Sequence, residues 1–192
     1  MRLKTLLLLC LGLMPCCKAQ AAGPDPKLQI AGALKAAPED RRAGAAVLGY
    51  DGKGSVIELR EGANDLVCIA DNPAREKFSA ACYHKDLAAY MARGRELSAK
   101  GIGRQENLET RWKEIDAGAL SMSKEPRTLY VVSGESFDEA SGEVVKPYLR
   151  YVIYTPYATA QSTGLSTKGG DSVPWIMFPG TAGAHIMINP PR

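Results

Sequence analysis

The sequence predicts an α+β domain in which two helices pack on a mostly antiparallel sheet, held by one disulfide. Three observations predict it. Short apolar runs bounded by turn residues fill both ends of the mature chain, a central stretch repeats its apolar residues with the helical period, and two cysteines remain once an export signal is set aside.

The export signal decides which residues belong to the folded protein. Arg2 and Lys4 form a short basic region, and Thr5 to Met14 is an almost unbroken apolar run rich in leucine. About ten residues is half the roughly twenty that a membrane-spanning helix needs. Pro15 then breaks the run, and Ala19, Gln20 and Ala21 have the small-x-small form of a cleavage site, so residues 1–21 are expected to be a signal peptide cut after Ala21. Cys16 and Cys17 raise the alternative of a lipoprotein signal, which Pro15 ahead of Cys16 disfavours. The expected location is the periplasm or the exterior of the cell, with the membrane met only through the signal peptide.

Removing Arg2, Lys4 and Lys18 from 24 basic residues leaves 21 against 21 acidic ones. A neutral domain has no overall electrostatic footprint for nucleic acid. Residues 22–192 are numerous enough for one domain with a real core. Of five cysteines, Cys68 and Cys82 alone lie beyond the signal, and in an oxidising compartment they are expected to pair. The closed loop of about fifteen residues corresponds to roughly 3 kcal/mol in the chain-entropy account.

Residues 22–42, rich in Ala, Gly and charge and punctuated by Pro24, Pro26 and Pro38, read as a flexible arm ahead of a single domain over residues 43–192. Ala45 to Tyr50 and Ser55 to Arg60 flank the turn Asp51-Gly52-Lys53-Gly54 and predict a hairpin, with a third strand at Asp65 to Ala70. From Glu76, the positions of Ala80, Tyr83, Leu87, Tyr90 and Met91 predict a helix running to Gly94, which would put Cys82 in its first turns and staple helix to strand. Leu108, Trp112 and Ile115 predict a second helix over Gln105 to Ala117. Arg127 to Ser133 and Tyr148 to Tyr154 read as strands joined through a turn or long hairpin loop, and Trp175 to Phe178 and Ala184 to Asn189 as two more after a Ser/Thr/Gly loop. Tyr148, Tyr151, Tyr154 and Tyr157 step by three, so on a strand they alternate faces and cannot form one platform.

Candidate chemistry is sparse. The two histidines are His84, expected beside the apolar stripe of the first helix, and His185, which opens a strand after a Gly-rich turn and could face a cleft. Asp171 in the long loop and Trp175 join His185 as ligand-binding candidates. No spacing of His and Cys fixes a metal geometry, and no cofactor motif is present. Ser121 and Lys124 spell S-x-x-K without the rest of a penicillin-recognising enzyme, and G-x-S-x-G is absent. The expectation is an extracytoplasmic binding or interaction module for an unidentified small ligand or envelope protein. The alternatives are a small hydrolase or metal-dependent enzyme using His185 with Asp171, and a structural envelope component.

Leu59, Arg60, Glu61, Gly62 and Asn64 ahead of Cys68, then Asp71, Pro73 and Cys82, with Pro174 to Met177 and His185 to Ile188 later, resemble a group of small secreted bacterial proteins with a paired cysteine and no known activity. The resemblance implies a secreted, disulfide-paired fold with a Tyr/Trp-containing pocket region near His185. This chain departs from that pattern in having no Trp before Cys68 and in the charged stretch from Arg93 to Lys124.

Overall fold

The computed structural model describes residues 23–191; the expected signal peptide lies outside them. Its centre is one eight-stranded sheet in the order β2-β1-β3-β4-β5-β8-β10-β9, formed by β1 (Ala46–Tyr50), β2 (Val56–Arg60), β3 (Leu66–Ile69), β4 (Ser79–His84), β5 (Arg127–Ser133), β8 (Tyr148–Tyr154), β9 (Trp175–Met177) and β10 (His185–Ile188). Every pairing is antiparallel except β1 with β3. The link from β5 to β8 carries its own small hairpin, β6 (Phe137–Asp138) with β7 (Glu143–Val144). The fold is thus α+β with a large antiparallel sheet and one disulfide.

The segment expected to be a loose arm instead forms helix α1 (Pro26–Leu34). Asp25 caps it by accepting from the Lys27 amide, and Pro26 stands at its first position, where a missing N–H costs nothing. A proline that read as linker punctuation, Pro26, is a helix start. Ala33, Ala36 and Ala37 are buried against Val47, Cys68, Ala80 and Cys82, so alanine here lets a helix lie close to the sheet. Gln29 fixes the approach by accepting from the Tyr50 amide at 2.7 Å and donating to its carbonyl at 3.0 Å.

The helix predicted from Glu76 begins at Ala88 instead. Residues 79–84 form β4 in the middle of the sheet, so Cys82 lies on a strand and pairs with Cys68 directly across β3 and β4, with Cα atoms 3.9 Å apart. The disulfide therefore ties strand to strand. A central strand is covered on both faces and loses the clean alternation that marks a strand, while Ala80, Tyr83 and Leu87 happen to repeat at helical spacing. His84 consequently ends a strand, where its Nδ1 accepts from the Asp86 amide at 3.1 Å. Helix α2 (Ala88–Ala99) runs through Gly94 rather than ending there, and α3 (Arg104–Asp116) follows after a turn.

The helices of this hairpin cover the face opposite α1. Tyr83, Leu87, Tyr90, Val152, Tyr154 and Met187 form its buried cluster, with Trp112 and Ile115 packed against it. Tyr130 and Tyr151 pack edge to face with each other, 6.1 Å between centroids, whereas Tyr154 belongs to the helix-side cluster. Tyr157, off the strand, donates to Asp116 at 2.7 Å.

Candidate functional site

A cleft of about 740 Å³ lies between the sheet and the α2–α3 hairpin. Its origin is visible in the register. Leu48, Ile69, Ala81 and Val131 stand opposite one another across β1, β3, β4 and β5, and Ala81 at the centre of this row is too small to fill the layer. Over that row α2 presents Gly94, Ser98 and Ala99, equally small. Small side chains on both layers leave space that the larger Tyr83, Tyr90 and Trp112 close further along.

The other end of the hairpin is pinned by a closed circuit of rings. Tyr90 packs edge-on to Tyr154 at 5.6 Å, Tyr154 lies 5.0 Å from His185, His185 lies 5.7 Å from Phe178, and Phe178 lies 5.1 Å from Trp112. The Trp112 indole N–H donates back to the Tyr90 hydroxyl at 3.3 Å. Where α2 meets α3, Asn107 donates to the Gly94 carbonyl at 2.8 Å and to Ser98 Oγ at 3.1 Å. The cleft is therefore framed by fixed elements on both layers.

Its lining divides by chemistry. Ile69, Ala81, Leu129 and Val131 from the sheet and Met91 and Leu108 from the helices are apolar, while Arg75, Arg95, Arg104 and Arg111 bring four guanidinium groups and no acidic side chain lines the cleft. Arg111 is already engaged, with its guanidinium 4.0 Å from the Tyr90 ring centroid and Nη1 donating to the Tyr90 carbonyl. Arg75, Arg95 and Arg104 have no ion pair or side-chain hydrogen bond among the described residues, in contrast to Arg93 with Glu114 and Arg127 with Asp86. Burial raises the Tyr50 phenol above its ordinary value, opposed by the nearby Arg95 and Arg75 charges, which places both arginines within electrostatic reach of it. Burial also raises the Asp71 carboxyl, opposed by its bond from the Ser79 amide at 2.9 Å and by the Arg75 charge, so Asp71 lies within electrostatic reach of both Arg75 and Tyr50.

Two of the buried polar atoms without partners belong to residues that line this cleft, while those of Thr155, Trp175 and Asn189 lie away from it. The Tyr83 hydroxyl and Asn107 Oδ1, on residues 1% and 5% exposed, have no hydrogen-bond partner, and both residues line it. Arg150, directly opposite Val131 on β8, has an equally unpartnered, buried Nε. Such atoms ordinarily cost about 1–3 kcal/mol each when left dry.

The residues singled out in the sequence are elsewhere. His185 is 8% exposed, and its Nδ1 lies 2.7 Å from the Gly183 carbonyl and so carries the proton. Burial holds its pKa below the ordinary histidine value. Asp171 is exposed on the loop and has no hydrogen bond to His185. Trp175 on β9 is half-buried within the helix-side cluster, its indole N–H unpartnered and Gly169 against its ring. His185 and Trp175 thus share a packed core, and Asp171 joins neither. The Ser/Thr/Gly loop is tied down by Ser172 N to the Asn189 carbonyl at 2.8 Å and Ile176 N to the Ser166 carbonyl at 2.9 Å, and it contributes nothing to the large cleft. Among the described residues no group of three or more His, Cys, Asp or Glu could hold a metal ion.

Sequence reasoning missed the cleft because its parts are dispersed over β1 to β5, α2, α3 and the segment after β3, and because Arg95 and Arg104 fall between the two helices expected from the sequence. One signal was present: Arg93, Arg95, Arg104 and Arg111 cluster in a segment where a merely soluble helix surface could equally use lysine. Set against protein-family models, curated proteins and solved structures, the chain matches none.

Proposed function

We propose that this protein is an extracytoplasmic binding module whose small ligand occupies the cleft between the sheet and the α2–α3 hairpin. The observation that carries the reading is the cleft itself, whose volume lies within the 300–1,000 Å³ typical of ligand pockets and whose apolar lining is interrupted by a few polar and charged groups. The rigid frame around it supports binding with little rearrangement. The enzyme alternative has no comparable support, since His185 is a hydrogen-bonded core residue apart from Asp171.

The extracytoplasmic setting rests on the disulfide, which is compatible with an oxidising compartment, and on the export signal read in residues 1–21. No described helix is long and apolar enough to cross a membrane. Export with cleavage after Ala21 makes Ala22 the first residue of the mature chain, which intact-mass measurement of the exported protein reads directly. The likeness to small secreted proteins with a paired cysteine belongs to the same proposal.

Ala99 is exposed at the end of α2 and lines the cleft, so Ala99→Trp obstructs it without disturbing the core. A small-molecule panel is screened by thermal unfolding of residues 22–192 in the wild type and in this variant. A ligand at about a hundred times its dissociation constant stabilises the native state by roughly 2.7 kcal/mol. The expected result is a raised midpoint that Ala99→Trp abolishes. A midpoint raised equally in both proteins would move the site elsewhere.

A further inference from the structure

We propose that the ligand is a small organic anion, its carboxylate or phosphate held by Arg95 and Arg75 beside the Tyr50 hydroxyl, with an apolar body lying over Ile69, Ala81 and Val131. The assignment rests on the cleft being a binding site and goes further by naming what it takes.

Three features converge on this chemistry. The half-buried Arg95 on α2 and the exposed Arg75 after β3 line one cleft with no acid among its lining residues, and neither makes a salt bridge or side-chain hydrogen bond among the described residues; Asp71, outside the lining, is within electrostatic reach of Arg75 and leaves Arg95 as the uncompensated charge. An unpaired guanidinium beside apolar surface is matched most completely by a carboxylate or phosphate, whose oxygens accept its forked donors. The Tyr50 hydroxyl also makes no hydrogen bond within the described residues and supplies a neutral donor beside the two cations. Finally, Ile69, Ala81 and Val131 form a continuous apolar row across three strands, a floor that a free inorganic anion would not use.

Arg111 does not serve as the anion's chief partner, because its fork is already turned toward Tyr90 and the carbonyls of Tyr90 and Asn107.

Titration calorimetry on oxidised residues 22–192 tests this with octanoate, octyl phosphate, octan-1-ol, octyltrimethylammonium and inorganic phosphate. Octanoate or octyl phosphate is expected to bind at least about tenfold more tightly than the neutral and cationic compounds with the same tail, and the preference between the two distinguishes the acid group. Arg95→Gln is expected to weaken the anion about tenfold and Arg75→Gln, at an exposed position, about threefold, with octan-1-ol unaffected. Lys124→Gln, exposed and outside the cleft, is the control and leaves all affinities unchanged. The Arg95 side chain makes no hydrogen bond among the described residues, so the variant keeps the fold.

Octan-1-ol binding as tightly as the anions, or anion binding unaltered by Arg95→Gln, overturns the anion assignment. The binding-module reading survives that result if Ala99→Trp still blocks the site. Inorganic phosphate equalling octyl phosphate removes the apolar body. No binding of any compound, or binding indifferent to Ala99→Trp, overturns both readings.

Discussion

Arg111 lies over the ring of Tyr90 with its guanidinium carbon 4.0 Å from the centroid, while Nη1 donates to the carbonyl of the same residue at 3.2 Å. One side chain from α3 thus holds α2 by a cation–π contact and a hydrogen bond together. Gly94 makes room for it, since a Cβ there would stand 2.9 Å from Arg111 Nη1.

Arg111→Lys keeps the charge and loses the planar fork. It is expected to destabilise the protein by about 1–2 kcal/mol, measured by urea unfolding. Arg95→Gln in the same assay is expected to stay within about 0.5 kcal/mol of wild type, because Arg95 has no such intramolecular role. Equal losses in the two variants would contradict the division between a structural and a ligand-facing arginine.

Gly183 lies where the β10 turn meets Trp112. A Cβ there would stand 2.0 Å from Trp112 Nε1, whose N–H bonds Tyr90 and whose ring packs on Phe178. Gly183→Ala must displace the indole and break the aromatic circuit, at about 1–3 kcal/mol. Gly180→Ala nearby meets open space and strains only a φ of +78°, at about 1 kcal/mol. Urea midpoints should fall in that order.

His185 titrates below its ordinary value of 6.5 because its ring is buried and its charged form poorly solvated. The unfolded chain therefore binds a proton at a pH where the folded protein does not. The stabilising contribution is complete above about pH 6.5 and is lost as the pH falls through the folded-state pKa. His185→Phe removes the titration, so its stability between pH 7 and 5 is expected to be flatter than that of the wild type. Parallel profiles would place the protonated imidazole in a solvated setting.

Cys68 and Cys82 are both fully buried between α1 and the sheet. Reductant is expected to leave the native protein's bond intact and to act only as the chain unfolds. Replacing both by Ala should cost up to about 3 kcal/mol, read from denaturant unfolding. Rapid reduction under native conditions, detected by thiol labelling, would contradict this burial.

Much of the strand content was legible because turn chemistry is local. Asp51-Gly52-Lys53-Gly54 announces the β1–β2 hairpin, and the Asp51 carboxylate accepts from the Lys53 and Ser55 amides, each at 2.8 Å. Helix α3 was legible because Leu108, Trp112 and Ile115 form a single stripe against charge. The two misread segments share a cause. In α1 and β4 alanine carries the packing, and a side chain that small is compatible with arm, helix or strand until its neighbours are known.

The sequence alone determined a paired-cysteine α+β domain and, through residues 1–21, the expectation of export. Those features reside in short segments whose composition and spacing carry their own physics. Tertiary structure decided which face of His185 meets which ring, that Asp171 stays apart from it, and that arginines from α2, α3 and the segment after β3 share one cleft with the floor of Ile69, Ala81 and Val131. A cleft is the space left by small side chains on two facing layers, and its existence depends on a register between segments far apart in the chain.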